Sequence, residues 1–255
     1  MPINNNFMKK IFVFLISALT LGVSSCSDNG DGPSKPSTKM LLTGIESTYS
    51  DGSVRSVFSD FTYDSDGKIL SYKVSNGSSD ADTYTYSYSS SSIVRKCDGK
   101  SDGVYSLSNG KITATNSDDK YSYTGNQLTK WVEDDSYSII YTWENGNPIR
   151  ETVKYGNGDD YITNYTYNDS PCYIGFLTQL KKAMNTDIMG GSAFDPFLQQ
   201  CGFYGDLPRN LVSGCVIDGV EWTLDYEFNN NGYPTKIIGK DEDGDIFIIM
   251  TLTWK

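Results

Sequence analysis

Thirty-two carboxylates, five cysteines and no histidine set the chemistry open to this 255-residue chain. Without imidazole there is no Ser–His or Cys–His nucleophile pair and no histidine metal ligand. Carboxylate, thiol and aromatic chemistry remain. Two acids flanking a sugar can hydrolyse a glycosidic bond, but no pair stands out among the 32. The acids gather at Asp118-Asp119, Glu133-Asp134-Asp135, Asp159-Asp160 and Asp241-Glu242-Asp243-Gly244-Asp245. The last cluster offers Asp241, Asp243 and Asp245 as a weak Ca²⁺ loop. An EF-hand would add a glutamate downstream, where this chain has Leu252 and Thr253. Ser65-Asp66-Gly67-Lys68 and Ser117-Asp118-Asp119-Lys120 match S-x-x-K. That motif sets Lys one turn from a nucleophilic Ser only on a helix. Both copies fall in expected hairpin turns, so no catalytic residue is assigned and no cofactor is expected.

Cys26 has the clearest chemical fate. It follows Lys9-Lys10 and a 13-residue apolar run from Ile11 to Val23. A membrane-spanning helix needs roughly 20 residues, so the run fits a cleavable export signal. Val23-Ser24-Ser25-Cys26 resembles a relaxed lipobox, whose thiol takes a diacylglycerol. An ordinary secretory signal with an incidental cysteine is the other reading. Ser27 and Asp28 resemble the surface-export signal of Bacteroidetes lipoproteins, which implies an outer-membrane lipoprotein facing outward. The organisation expected is a signal peptide over 1–25, a flexible tether over 26–39 and one domain over 40–255. The tether is rich in Gly, Ser, Pro and Asp and cannot bury apolar surface.

Removing residues 1–25 takes away Lys9 and Lys10 and no acid, so the net charge goes from −11 to −13. Such a domain repels nucleic acid and anionic lipid surfaces. The membrane is therefore a partner only through the lipid. Cys97, Cys172, Cys201 and Cys215 allow three disulfide pairings or sit as buried thiols. Their spacing is too wide for a zinc site.

The chain repeats an aromatic-x-aromatic pair, a turn and a branched aliphatic. Phe61-Thr62-Tyr63 precedes Asp66-Gly67 and Ile69, and Tyr105-Ser106-Leu107 precedes Asn109-Gly110 and Ile112. Tyr121-Ser122-Tyr123, Tyr141-Thr142-Trp143 with Asn145-Gly146, and Tyr226-Glu227-Phe228 with Asn231-Gly232 are further copies. Asn-Gly and Asp-Gly supply the positive φ of two-residue hairpin loops. Tyr84, Tyr86 and Tyr88 alternate with Thr83, Thr85 and Ser87, and Trp222, Leu224, Tyr226 and Phe228 alternate with Thr223, Asp225 and Glu227. One buried face and one wet face mean an antiparallel sheet. The fold expected is all-β: an up-and-down meander of about 14 strands curled into a barrel or half-barrel. Residues of about 171–205 break the pattern. Ile174, Leu177, Leu180 and Met184 have helical spacing, and Asp195-Pro196 reads as the N-cap and first residue of a second short helix. This insertion plugs one end of the sheet or connects across its edge.

Tyr63-Asp64-x-x-Gly67-Lys68-Ile69 resembles a single YD/RHS repeat unit. The hairpins, the helical insertion and the lipobox together resemble Bacteroidetes lipoproteins of the DUF4595 family, over about residues 40–255. That resemblance implies a porin-like β meander and brings no catalytic residues. The function expected is a non-catalytic, lipid-anchored envelope domain that binds glycan or protein. Its alternatives are a carboxylate-dependent glycoside hydrolase and an integral outer-membrane barrel, for which alternating Tyr and Thr and the C-terminal Trp254 speak.

Overall fold

The computed structural model describes residues 39–76, 80–134, 137–156, 158, 160–173, 194–217 and 219–255. The signal peptide, Cys26, most of the tether and the helical stretch over 174–185 lie outside the described residues. The strands are β1 (Leu42–Tyr49), β2 (Val54–Tyr63), β3 (Ile69–Ser75), β4 (Asp82–Tyr88), β5 (Ser92–Cys97), β6 (Lys100–Ser108), β7 (Lys111–Thr115) and β8 (Lys120–Thr124). They continue as β9 (Gln127–Asp134), β10 (Tyr137–Glu144), β11 (Asn147–Tyr155), β12 (Asp160–Pro171), β13 (Asn210–Ile217), β14 (Val220–Phe228), β15 (Pro234–Lys240) and β16 (Ile246–Trp254). Each pairs antiparallel with its neighbours in sequence, and β1 pairs with β16, so the meander closes. Leu41 and Lys255 exchange backbone hydrogen bonds of 2.8 and 2.9 Å at the seam. Sixteen strands replace the 14 expected. Short strands such as β5 escape an alternation count, because Arg95 occupies the inward row there, two residues from the buried Ile93.

The interior is apolar. Ile45, Phe58, Tyr72, Tyr86, Ile93, Tyr105, Trp131, Ile139, Leu224, Ile237 and Met250 are all buried. The intervening rows mix Ser, Thr, Lys and acids with aliphatics such as Leu70, Val94, Ile140, Ile162, Ile238 and Ile249, and Lys73–Asp60, Asp225–Lys240, Glu227–Lys236 and Lys154–Asp160 join strands across them. A bilayer-spanning barrel has the reverse polarity, with an apolar outer band about 25 Å tall and strands of about 9–11 residues. Here β7 and β8 have 5 residues each.

One end of the barrel carries the turns β2–β3, β4–β5, β6–β7, β8–β9, β10–β11 and β14–β15, the seam termini and the insertion between β12 and β13; we refer to it as the plugged end. Asn109-Gly110 and Asn145-Gly146 turn here with both residues at positive φ, as a type I′ turn requires. The aromatic repeat has its cause here too. The aromatic near the end of an even strand donates to the carbonyl near the start of the strand before it. Tyr63 Oη reaches Leu42 O (2.5 Å), Tyr88 reaches Ile69 O (2.6 Å) and Tyr123 reaches Ile112 O (2.6 Å). Trp143 Nε1 reaches Leu128 O (2.7 Å), Tyr167 reaches Pro148 O (2.6 Å), Tyr226 reaches Val212 O (2.6 Å) and Trp254 Nε1 reaches Pro234 O (2.7 Å). Leu107 on β6 has no polar group to do the same. The remaining turns form the acidic end.

Candidate functional site

Asp195 organises the lumen. It is fully buried and caps helix α1 (Pro196–Gln200), accepting from Phe197 N at 3.0 Å and Leu198 N at 3.1 Å. Pro196 starts the helix, where its missing N–H costs nothing. The other carboxylate oxygen accepts from Tyr86 Oη at 2.5 Å and Arg95 Nη1 at 2.9 Å. Arg95 Nη2 lies 2.6 Å from Asp102, and the guanidinium stands 5.6 and 5.9 Å from the Tyr84 and Tyr105 rings. Burial opposes the Arg95 charge, but Asp195 outweighs it and holds the guanidinium well above its ordinary pKa. Phe197 packs edge-on against Phe61 at 5.2 Å on β2, and its ring centroid lies 4.7 Å from that of Tyr72 on β3. Phe194 lies 5.6 Å from Tyr121 on β8 and 5.7 Å from Trp131 on β9. The described part of the insertion therefore reaches two separate stretches of wall and fills the lumen between them. Gly205 follows, at φ +85°, and a Cβ there would stand 2.0 Å from Asn126 O.

Asp102 and Asp195 are the two carboxylates that Arg95 brings together, and a glycosidase needs such a pair beside an open cleft. These two flank a plugged lumen, and Asp195 has four donors of its own. A pocket of about 20 Å³, enough for about one water, lies nearby, lined by Leu128, Tyr141, Trp143, Phe194, Tyr204 and Asp206 among others. A second buried acid, Glu151, sits between Tyr141 and Thr163 in register on β10, β11 and β12. Burial first, then the Glu151 charge, pushes the Tyr141 and Tyr165 hydroxyls far above the usual tyrosine range and Cys215 up to about 12. Sequence reasoning missed Arg95, Glu151 and Asp195 as a buried set, since an isolated charge inside an alternating strand reads as solvent-facing.

The sequence-predicted sites scatter. Ser65–Lys68 lies in the β2–β3 turn and Ser117–Lys120 at the β7–β8 turn, neither on a helix. Cys97, Cys172, Cys201 and Cys215 are all thiols. Asp241, Asp243 and Asp245 sit in the β15–β16 turn, where Asp241 Oδ1 accepts from Asp243 N at 3.2 Å and Asp245 N at 2.9 Å. That carboxylate holds its own turn. Among the described residues, Asp82, Cys97 and Asp98 are the group of three whose ligand atoms approach within 4.8 Å. Asp98 Oδ1 there accepts from Thr83 N at 2.9 Å. Asp135 and Asp159 lie outside the described residues.

The remaining acid clusters converge at the acidic end. Asp51 belongs to the β1–β2 turn, Asp80 to β3–β4, Asp98 to β5–β6, Asp118 and Asp119 to β7–β8, Asp160 to β11–β12 and Asp241 to Asp245 to β15–β16. Ser53, through its hydroxyl and then its backbone N–H, lowers the Asp51 pKa. Burial raises that of Asp119 against the donors Thr115 and Trp131. Exposed apolar groups collect at the same end. Of seven exposed large hydrophobic residues among those described, Tyr49, Val54, Tyr155, Tyr161 and Ile246 are here, at 38 to 43% exposure. Trp131, Tyr137, Tyr155 and Tyr161 form an edge-to-face ladder with centroids 5.3, 5.1 and 5.5 Å apart, from the core to the rim. Tyr155 and Tyr161, at the outer end of the ladder, are exposed at 39 and 43%.

Comparison with known proteins adds the fold. The chain is similar to a crystal structure of a porin-like protein from Bacteroides uniformis, at 14% identity and TM-score 0.65, covering 87% of this chain and 100% of that one. A porin-like protein from Bacteroides vulgatus gives 12% identity and TM-score 0.57, covering 85% and 99%. No protein-family model and no curated protein matches the chain, so DUF4595 membership is not shown. The class of protein defined is a closed, porin-like antiparallel barrel with a filled lumen.

Proposed function

We propose that this protein is a lipid-anchored envelope domain that binds a glycan or protein ligand at its acidic end, in keeping with the DUF4595-like reading of the hairpins. The observation that carries this is the gathering of exposed aromatic and aliphatic side chains at one rim. Exposed apolar surface marks binding sites, and among the described residues the lumen is filled by α1 and its neighbours. β1 starts at Leu42 on the plugged end, so in this reading the chain enters the barrel from that end and leaves the acidic rim free for a ligand. Lys39, Lys68, Arg209 and Lys255 stand at the plugged end, while anionic headgroups would repel the opposite one.

Two measurements test this. Cells expressing the protein should incorporate labelled palmitate, and Cys26→Ser should abolish it; label retained by that variant would remove the anchor. A glycan and peptide array probed with purified full-length protein should show binding that Tyr155→Ser with Tyr161→Ser removes. Signals indifferent to those changes would move the binding site elsewhere.

A further inference from the structure

We propose that the acidic end docks a cationic polypeptide segment, whose basic side chains lie over the exposed rings of Tyr155 and Tyr161 and among the turn carboxylates. This rests on the binding-module reading above and names its partner. The acids by themselves are solvated turn tips. The five exposed apolar side chains within their ring are what call for an occupant.

Three observations select the chemistry. First, the rim combines apolar contact with an excess of negative charge, the acids of its turns outnumbering Arg55, Lys100, Lys120, Lys154 and Lys240 among the described residues. Among the described residues most turns at this end carry acids, whereas at the plugged end Asp64 and Asp66 lie in the β2–β3 turn, with Lys68 3.7 Å from Asp66, and Glu144, Asp169 and Asp206 stand singly among Lys39, Arg209 and Lys255. A partner of opposite charge gains encounter rate and specificity from that field, and a second copy of this chain or an anionic surface is repelled. Second, this end already shows the contact in miniature. The Arg55 guanidinium stands 5.9 Å from the Tyr49 ring centroid. Cation–π pairs of this kind form wherever a ring face and a cation meet within about 6 Å. Third, Tyr155 and Tyr161 are held edge-to-face rather than packed under a loop. Tyr155 continues the inward row of the buried Val153, and Tyr161 pairs with Val153 in register. The platform is therefore an extension of the core. A neutral glycan would use the rings and leave the charge idle; a basic polypeptide uses both.

The test titrates purified full-length protein by calorimetry with three probes: a short alternating Lys-Trp peptide, its Glu-Trp counterpart and laminarihexaose. The Lys-Trp peptide should bind and the Glu-Trp peptide should not. Raising salt from about 50 to about 500 mM should weaken the complex about tenfold or more. Tyr155→Ser with Tyr161→Ser should weaken it about tenfold, with an unchanged thermal midpoint showing that the variant folds. Equal binding of the two peptides, or a double variant that binds as the parent does, overturns the proposal. Laminarihexaose bound through Tyr155 and Tyr161 without the Lys-Trp peptide overturns the cationic partner and leaves the binding module standing. Silence from all three probes overturns both.

Discussion

Asp195 and Asp241 both accept from two backbone N–H groups, one capping helix α1 and the other a hairpin turn, and their surroundings differ. Asp195 lies in the lumen with two backbone N–H groups, a tyrosine hydroxyl and a guanidinium on its two oxygens. Asp241, half-buried in the β15–β16 turn, caps it with two backbone N–H groups. The two ends of the barrel differ in the same sense. At the plugged end side chains are tied to backbone and fixed; at the acidic end they are presented. Closure belongs to one rim and recognition to the other, so changes at the two rims should separate stability from binding.

The largest effect expected is at high pH. Tyr72, Tyr86, Tyr121, Tyr141, Tyr165, Tyr204 and Tyr226 all have hydroxyls raised above the ordinary range, first by burial. Their folded pKa exceeds the unfolded value of about 10, so the stability they contribute is complete below pH 10 and falls as pH rises beyond it. Each loses about 1.4 kcal/mol per pH unit, so at about pH 11 seven of them match the whole stability of a typical domain. Absorbance at 295 nm should show these phenols ionising together with loss of the fold, rather than one by one. Next is Asp195→Ala, which uncaps α1 and leaves Arg95 buried beside Asp102 alone. A loss of about 3–5 kcal/mol is expected in urea unfolding; a loss under about 1 would mean that the plug contributes little. Gly205→Ala forces a Cβ against Asn126 O at a left-handed φ, and about 2 kcal/mol or more should be lost in the same assay. Tyr167→Phe removes one tie to a strand-start carbonyl and should cost about 1 kcal/mol. Asn at Asp241, Asp243 and Asp245 together should shift the midpoint least, within about 1 kcal/mol, while weakening any cationic ligand. If that triple change unfolds the protein, the division between the rims fails.

The hairpin order was legible because Asn-Gly and Asp-Gly turns and strict alternation are local signals. The cap at Asp195 with Pro196 was legible for the same reason. Strand count slipped where Arg95 took an inward position, since its partner is 100 residues away. The convergence of the acid clusters could not be read locally either. It depends on whether a turn follows an odd or an even strand, which requires the full count. Closure likewise rests on Leu42 meeting Trp254. The aromatic repeat was visible, but its cause was not: the acceptor is a backbone carbonyl, and no side chain marks it.

The seven aromatic ties span only 11 to 21 residues of sequence, whereas Thr43 and Thr253, which meet at the seam, are 210 apart. Short-range contacts form fast and distant ones late. Assembly should therefore run as a zipper of neighbouring ribbons with ring closure as its final, slowest event. Until β16 finds β1, the nascent sheet has two raw edges open to other chains. Periods of crowded synthesis, more than heat, would be when this molecule is most exposed to misassembly.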